Sequence, residues 1–262
     1  MLSVLILIGA FCFGAIISSF LKASADRFQQ SRSVLKGCSY CFYCSHQLSW
    51  LDLFPIFSFL FLRGRCRYCH HKISWQHPLI ELSTGVILLS IWLFVGEPIL
   101  AVFYSFIALI LIFISLLDFQ YKIIPDKIVY PGIIIAFLFN LLYSLFLESS
   151  FFSMQSRFSL GLLGAEIGFF FLAFLYFLTK GKGMGFGDVK LAILMGLILG
   201  WPNILLGLFL GFLFGAIIGI GLIIFRRKKM KSEIPFGPFL TGGMLVALLW
   251  GEEIINYYLS LL

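Results

Sequence analysis

The sequence predicts an all-α polytopic membrane protein, with about eight transmembrane helices and one small cytoplasmic loop domain. Of its 262 residues, 61% are hydrophobic and only 12% are charged, and the mean hydropathy is +1.04. A soluble globular domain is typically about half apolar and about a quarter charged. Apolar runs of roughly membrane-spanning length recur along the chain, and a single polar stretch, residues 22–77, holds five of the six cysteines.

These runs divide the chain into three parts: a first transmembrane helix at residues 1–21, a cytoplasmic domain at 22–77 and a multi-span domain at 78–262. The predicted spans are 2–21, 78–95, 99–117, 128–147, 159–179, 189–201, 203–225 and 237–258. The sixth span is the shortest and ends at Trp201-Pro202. The first run lacks the basic start and small-residue cleavage site of a signal peptide, so we expect a retained helix. No internal repeat is evident.

The basic residues predict the orientation in the membrane. With eight spans and the N-terminus outside, four loops face the cytoplasm, at residues 22–77, 118–127, 180–190 and 226–236. These loops carry every one of the 19 Lys and Arg residues except Arg157, as the positive-inside rule requires. The net charge of +7 is therefore explained by the lipid bilayer as partner, and we expect no nucleic-acid partner.

The cytoplasmic stretch has the cysteine spacing of a metal site. Cys41 and Cys44 form one Cys-x-x-Cys pair, and Cys66 and Cys69 form a second. Four thiolates give a closed tetrahedral zinc site, which is structural because no coordination position is open. The cytoplasm disfavours structural disulfides, and a bound metal would supply folding energy to a short loop.

Other interpretations of these side chains stay open. The thiols would otherwise be free or redox-active, and Cys38 either is a spare or shifts the register of the first pair. Cys12 lies in an apolar run and is interpreted as a small core residue. Four histidines are possible substitute ligands: His46, His70, His71 and His77.

Two aspartates at the ends of apolar runs are the candidate catalytic residues. Asp118 closes one run and Asp188 opens another, so both are predicted at the cytoplasmic boundary, where a carboxylate is functional by default. Two carboxyl groups that share a site titrate as a unit. The ionised one takes a proton from water while the protonated one donates to the scissile carbonyl, which hydrolyses a peptide bond without a metal.

Glycines surround the second aspartate. Gly185 and Gly187 permit positive φ and close backbone approach, which would let a substrate strand lie against the turn. Asp126 is interpreted as a turn or helix-cap residue. The chain has no His-Glu-x-x-His, no Gly-x-Ser-x-Gly and no phosphate-binding loop.

Taken together, these motifs resemble those of the bacterial type IV prepilin peptidase family, over most of the chain. The matching segments begin with Ser18-Ser19-Phe20-Leu21-Lys22 (Gly-Ser-Phe-Leu-Asn in the family), followed by Asp26-Arg27. Next come the two Cys-x-x-Cys pairs, with Trp50-Leu51-Asp52-Leu53-Phe54-Pro55 between them and Arg63-Gly64-Arg65-Cys66 leading into the second. The others are His77-Pro78-Leu79-Ile80-Glu81 (Tyr-Pro-x-x-Glu), Leu117-Asp118 and Gly185-Phe186-Gly187-Asp188-Val189-Lys190. A competence-pilus member of the family is an option that the sequence leaves open.

The resemblance implies a multi-pass protein of the bacterial cell membrane that removes a basic leader from prepilin-like precursors. Many members then methylate the new N-terminus with S-adenosylmethionine. Ser18 and Lys22 depart from the family pattern in the segment associated with methyl transfer, which leaves that activity open. Glu81 belongs either to the methyl-transfer site or to the cap of the second span. Lys190 tunes Asp188, binds the substrate backbone or anchors its loop in the cytoplasm.

An alternative from another class is a membrane transporter or scaffold with a zinc-sensing cytoplasmic loop. It predicts polar residues near the middle of the membrane, for which Glu166 is the clear candidate.

Overall fold

The computed structural model describes residues 2–28, 40–41, 43–49, 51–148, 153–225 and 234–261, and the described residues are mostly helical, with turns among those of 40–75. The helices are α1 (Leu2–Phe28), α2 (Phe57–Phe61), α3 (Gln76–Phe94), α4 (Pro98–Tyr121), α5 (Asp126–Phe146), α6 (Arg157–Leu178), α7 (Phe186–Leu199), α8 (Asn203–Ile224) and α9 (Gly237–Ser260). The described residues contain no strand, only two isolated β-bridges. The predicted fold class is confirmed. Cys38 and the basic run 226–231 lie outside the described residues.

Each predicted span corresponds to a helix, but within the described part of the chain only seven helices are long and apolar enough to cross a membrane. The exception is α7, with 14 residues, which at about 1.5 Å per residue is shorter than a hydrocarbon core of about 30 Å. Gly200, with φ of 66°, ends this helix. Most of its side chains are buried within the protein, so α7 is enclosed by other helices.

The first helix continues beyond its predicted end at residue 21. It reaches Phe28, and Lys22 pairs there with Asp26 one turn later. An ion pair between residues four apart supports a helix, so this polar segment is the last part of α1. Cys12, expected in the core, is instead exposed on α1.

The chain forms two compact units, Met1–Phe113 and Ile114–Leu262, and the division falls within α4. In the first unit α1 packs against α3. Gly14 permits this contact, because a Cβ there would lie 3.0 Å from the carbonyl oxygen of Thr84 and 3.1 Å from the Cα of Gly85. Small residues of this kind let membrane helices approach closely.

In the second unit, α6 packs against α7 and α8 against α9. Gly164 and Gly168 place the α6 backbone directly on α7: added Cβ atoms would lie 2.6 Å from the carbonyl oxygen of Gly196 and 2.8 Å from that of Ala192. This backbone contact fixes α7, the helix that carries Asp188 in its first turn.

Candidate active site and metal centre

Asp118 is buried in the last turn of α4, with 6% of its surface exposed. Its Oδ2 accepts a 2.8 Å hydrogen bond from the backbone N–H of Gly237, at the start of α9. Neighbouring Leu117 is fully buried. Asp118 is thus held inside the second unit and not in an open loop.

Asp188 is equally buried, in the first turn of α7. Its Oδ2 accepts a 3.2 Å bond from the N–H of Gly185, and its own N–H donates to the Gly185 carbonyl at 3.2 Å. The Asp188 carboxylate thus supplies the acidic half of a capping box, while the return bond uses the Gly185 backbone carbonyl because glycine has no side chain. The sequence therefore starts a helix here and fixes the carboxyl group at the same time.

The two predicted aspartates, 70 residues apart in the chain, lie in the same compact unit and within electrostatic range of each other. The charge of the Asp118 carboxylate acts on Asp188, and both side chains are withdrawn from solvent. Two buried carboxyl groups under mutual repulsion hold one proton more readily than two charges. The pair therefore has the elements of combined acid and base chemistry.

Gly185 and Gly187 do not have the backbone conformation that was predicted for them. Neither Gly185 nor Gly187 has positive φ; in this region it is Gly181 that does, with φ of 72°. Gly185 is an extended N-cap and Gly187 is helical. Close approach is present at Gly187, where a Cβ would lie 2.8 Å from the Cβ of Ile124. This glycine makes room for the protein's own α4–α5 loop.

We therefore expect Gly187→Ala to be much more damaging than Gly185→Ala. At Gly187 the clash is with a β-branched residue that cannot yield easily, and it displaces the start of α7. At Gly185 the added Cβ would meet only the Asp188 carboxyl oxygen, at 3.8 Å. We expect Gly187→Ala to lower peptidase turnover by about 10²-fold, as misplaced catalytic groups do, while Gly185→Ala keeps most of it. Equal turnover of the two purified variants would contradict this explanation.

Lys190 contacts Asp126 and not Asp188. Its Nζ lies 2.6 Å from Asp126 Oδ1 and 5.1 and 5.3 Å from the ring centroids of Tyr130 and Phe186. Asp126, interpreted as a turn or helix-cap residue, is the first residue of α5, whose N-cap is Pro125 and has no side-chain cap bond. Lys190 thus ties α7 to α5.

The predicted metal ligands also converge. The Sγ atoms of Cys41, Cys44, Cys66 and Cys69 all lie within 4.8 Å of one another, and those of Cys41 and Cys69 are 3.8 Å apart. Zn–S bonds of about 2.3 Å in a tetrahedron place the sulfurs about 3.8 Å apart. The donor set and its size therefore fit a zinc ion.

The thiols differ in their affinity for protons. Burial raises the pKa of Cys41, but hydrogen bonds from the backbone of Cys44 and Tyr43 outweigh it, and the pKa falls to about 7. At Cys69 a backbone bond from His71 lowers the pKa, yet burial and the neighbouring thiols raise it to about 12. A dication that binds deprotonated sulfur would favour the thiolate form of all four.

A local repeat, missed in the sequence, builds this site. The described residues of 40–47, which exclude residue 42, and residues 65–72 form equivalent turns, each closed by a β-bridge, Tyr40 to Gln47 and Arg65 to Lys72. Each turn has a residue of positive φ after its second cysteine, Ser45 at 55° and His70 at 56°. The shared pattern, Cys-x-Tyr-Cys-x-His, is visible in the sequence at an offset of 25 residues.

The repeat also explains two of the histidines. Tyr43 of the first turn stacks on His71 of the second, with centroids 3.2 Å apart. Tyr68 of the second packs on His46 of the first at 3.6 Å. Both imidazoles are thus part of the packing between the turns, and the metal cluster found among the described residues contains only cysteines.

Asp52 joins the segment between the turns to the second turn. Its carboxylate accepts bonds from the Ser49 N–H at 3.0 Å and hydroxyl at 2.8 Å, and from Arg67 Nε at 2.7 Å. Burial raises the pKa of Asp52, but the Ser49 bonds and the Arg67 charge outweigh it and hold the pKa below its usual value. Asp52 is therefore a structural anion of the segment 40–75, which contains both cysteine turns and is called the cysteine loop.

A cavity of about 560 Å³ lies in the first unit, lined by α1, α3 and the cysteine loop. Its wall includes Asp26, Asp52, His77 and Glu81, together with aromatic rings. Glu81 Oε2 accepts a 2.8 Å bond from the N–H of Ile56. Glu81 therefore does not cap the second span, since α3 begins at Gln76 without a side-chain cap.

Ser18 and Lys22, the two residues that differ from the family pattern, do not line this cavity. The Ser18 hydroxyl donates to the Ala15 carbonyl of its own helix at 3.0 Å, and Lys22 pairs with Asp26. Sequence reasoning did not identify Asp26 or Gly237 as site residues, and it considered His77 only as a possible substitute metal ligand and as part of a family motif. The signal for Gly237 was present as Pro235-Phe236-Gly237-Pro238 at the start of an apolar run.

Membrane-length helices around two buried, electrostatically interacting carboxyl groups are the features of a membrane-embedded aspartic protease. The comparisons with known proteins agree. Residues 12–95 match the bacterial peptidase A24 N-terminal domain, and residues 105–220 match the type IV leader peptidase family. The chain belongs to the type IV leader peptidase family, and it is an enzyme.

Sequence similarity to known proteins extends over most of the chain. The chain is 34% identical over 226 residues to a prepilin leader peptidase/N-methyltransferase of Aeromonas hydrophila, covering 85% of this chain and 74% of the relative. It is 32% identical over 252 residues to a protein of the same description from Bacillus subtilis (strain 168), covering 96% and 97%. A third, from Pseudomonas aeruginosa, is 32% identical over 226 residues, covering 85% and 74%. No solved structure matches the chain.

Proposed function

We propose that this protein removes the leader from prepilin-like membrane precursors, with Asp118 and Asp188 as the catalytic pair. The observation that carries the proposal is that both carboxyl groups are buried in one compact unit, near enough for the charge of Asp118 to act on Asp188. The names of the relatives, prepilin leader peptidase/N-methyltransferase, support the substrate class.

In the proposed reaction the two aspartates share one proton. The ionised carboxylate takes a proton from a water molecule, whose oxygen attacks the scissile carbonyl carbon. The protonated carboxyl group donates its proton to the carbonyl oxygen. Collapse of the tetrahedral intermediate breaks the C–N bond, and the amine leaves with a proton returned from the pair.

We further propose that the active site and the cysteine loop face the cytoplasm and that the N-terminus is outside, in a bacterial cell membrane. The support is the placement of all basic residues but Arg157 in loops on one side. A basic leader is retained on that side, so its cleavage point would meet a cytoplasmic dyad.

The second proposed activity is methylation of the new N-terminus in the cavity of the first unit. S-adenosylmethionine, when bound, supplies an electrophilic methyl group. Pockets of roughly 300–1,000 Å³ hold ligands of about this size, and the volume of about 560 Å³ lies in that range. Asp26 and Glu81 offer negative charge to a cationic ligand, while Phe20, Tyr40 and Phe54 offer apolar ring surface.

Within this proposal Glu81 shapes the cavity. It holds Ile56, whose φ of 61° is unusual for a β-branched residue, and it also bonds Ser19 of α1. We expect Glu81→Gln to lower methyl transfer by about 10-fold or more and to leave leader cleavage close to wild type. Loss of both activities in a well-folded Glu81→Gln variant would place this residue elsewhere in the mechanism.

One experiment tests both activities. The protein is co-expressed with a pilin-like precursor that carries a basic leader, and the intact mass of the product is measured. We expect the mass of the leaderless chain plus one methyl group. An unchanged precursor would reject the peptidase proposal, and an unmethylated product would reject the methyl-transfer proposal alone.

The transporter or scaffold alternative is not favoured. The comparisons identify a peptidase family over both parts of the chain. The residue on which the alternative depended, Glu166, is exposed on α6 and does not line an internal pathway.

A further inference from the structure

The first two turns of α9 bond to the last two turns of α4 at two points. Gly237 N–H donates to Asp118 Oδ2 at 2.8 Å. One turn along α9, Thr241 is 2.5 Å from the hydroxyl of Ser115, one turn before Asp118. Because the Thr241 hydroxyl donates to the Pro238 carbonyl at 3.0 Å, the Ser115 hydroxyl is the donor between them. The two helix ends are thus fixed in register.

This contact compensates for the position of Asp118 in its own helix. The C-terminal end of a helix carries partial negative charge, which disfavours a carboxylate, whereas an N-terminal end favours one. The first N–H groups of a helix also have no partner within it. Gly237 therefore gives Asp118 a donor whose bond to an ionised carboxylate is stronger than a neutral bond. Asp188 already lies in the first turn of its own helix and needs no such support.

The residue at position 237 must be glycine because there is no space for a side chain. A Cβ there would lie 2.8 Å from Asp118 Oδ2, 3.2 Å from its Cγ and 3.3 Å from its Cβ. The backbone does not have positive φ at this residue, so the requirement is one of room for the carboxyl group. Among the described residues, none donates a hydrogen bond to the second oxygen, Oδ1.

We propose that the segment Gly237–Thr241 is a third element of the active site, which positions Asp118. The Gly237 N–H holds Oδ2 and thereby presents Oδ1 to the shared proton and the attacking water, while the Thr241–Ser115 bond keeps α9 at the correct height along α4. This inference rests on the proposed function of Asp118 and Asp188 as the catalytic pair.

The decisive comparison is Gly237→Ala against Gly242→Ala in the purified full-length protein. Both add one methyl group to α9, but at Gly242 the nearest atom is a Phe214 ring carbon at 3.8 Å, an ordinary contact. For Gly237→Ala we expect kcat for leader cleavage to fall by about 10²-fold with KM within about 2-fold, because the substrate contacts stay while the Asp118 carboxyl group is displaced. For Gly242→Ala both constants should stay within about 2-fold. A folded Gly237→Ala protein with wild-type kcat would overturn the inference.

A second set of variants covers the case in which Gly237→Ala does not fold. Thr241→Val and Ser115→Ala each remove the hydroxyl bond without adding atoms beside Asp118. Each should lower kcat by about 5-fold, and the double variant should lower it no further, because both changes break one interaction. Unchanged kcat in both single variants would overturn the inference, as would fully additive losses.

Asp118→Asn, assayed in parallel, separates the two proposals. An active Asp118→Asn protein would reject the catalytic pair itself. An inactive Asp118→Asn protein beside a fully active Gly237→Ala protein would reject only the role of α9.

Discussion

Asp188→Asn and Asp118→Asn are each expected to lower leader cleavage by roughly 10³-fold or more. Loss of a single general acid or base typically costs about 10² to 10⁴-fold, and a loss larger than this is expected only if one substitution removes both the acid and the base function. Asparagine keeps the size of the side chain and can still accept the bond from Gly185 or Gly237. It can neither take a proton from water nor hold the proton that the pair shares. The effect should therefore appear in kcat and not in membrane insertion.

The measurement is the fraction of a prepilin-like precursor cleaved over time by the purified variants, with thermal stability recorded for each. The double variant Asp118→Asn/Asp188→Asn should be no slower than either single one, because residues that act as a unit are not additive. Asp126→Asn is the matched control: it changes an exposed carboxyl group in the same unit and should retain activity within about 3-fold. Cleavage near the wild-type rate by either catalytic variant would exclude the pair.

The sequence was sufficient for those features that depend on local pattern. Span lengths follow from apolar runs, and the cluster of four thiols follows from the spacing of cysteines, since two short turns can each present two thiols. The paired aspartates were found because a charge at the end of an apolar run is costly. Even the shortened α7 had a visible signal in Gly200-Trp201-Pro202.

The features that the sequence did not predict depend on which helices pack together. Tuning of Asp188 was one of three roles considered for Lys190, but a helix turns these two side chains to different sides, and Lys190 meets Asp126 instead. Positive φ was expected at Gly185 and Gly187 because the helix start at Phe186 was not recognised. No periodicity in either segment relates Gly237 to Asp118, which are 119 residues apart.

Removal of the metal is expected to separate the two proposed activities. Structural zinc sites contribute apparent binding energies of about 10–16 kcal/mol to the folding of small domains, and residues of both cysteine turns line the proposed methyl-transfer cavity. Cys66 is the buried member of the cluster. We expect Cys66→Ser to abolish stoichiometric zinc binding and to lower methyl transfer by more than about 10-fold. Leader cleavage should persist at a reduced rate, because both aspartates belong to the other compact unit.

Cys12→Ser is the matched control, since it changes an exposed cysteine on α1 that is not part of the metal cluster. Its zinc content, cleavage and methylation should equal those of the unmodified protein. Zinc is measured by elemental analysis of the purified protein, and both activities by the intact mass of the product. Complete and immediate loss of cleavage when a chelator is added to the unmodified enzyme would favour metal catalysis over the aspartate pair. Full methylation by zinc-free Cys66→Ser would remove the cysteine loop from the methyl-transfer site.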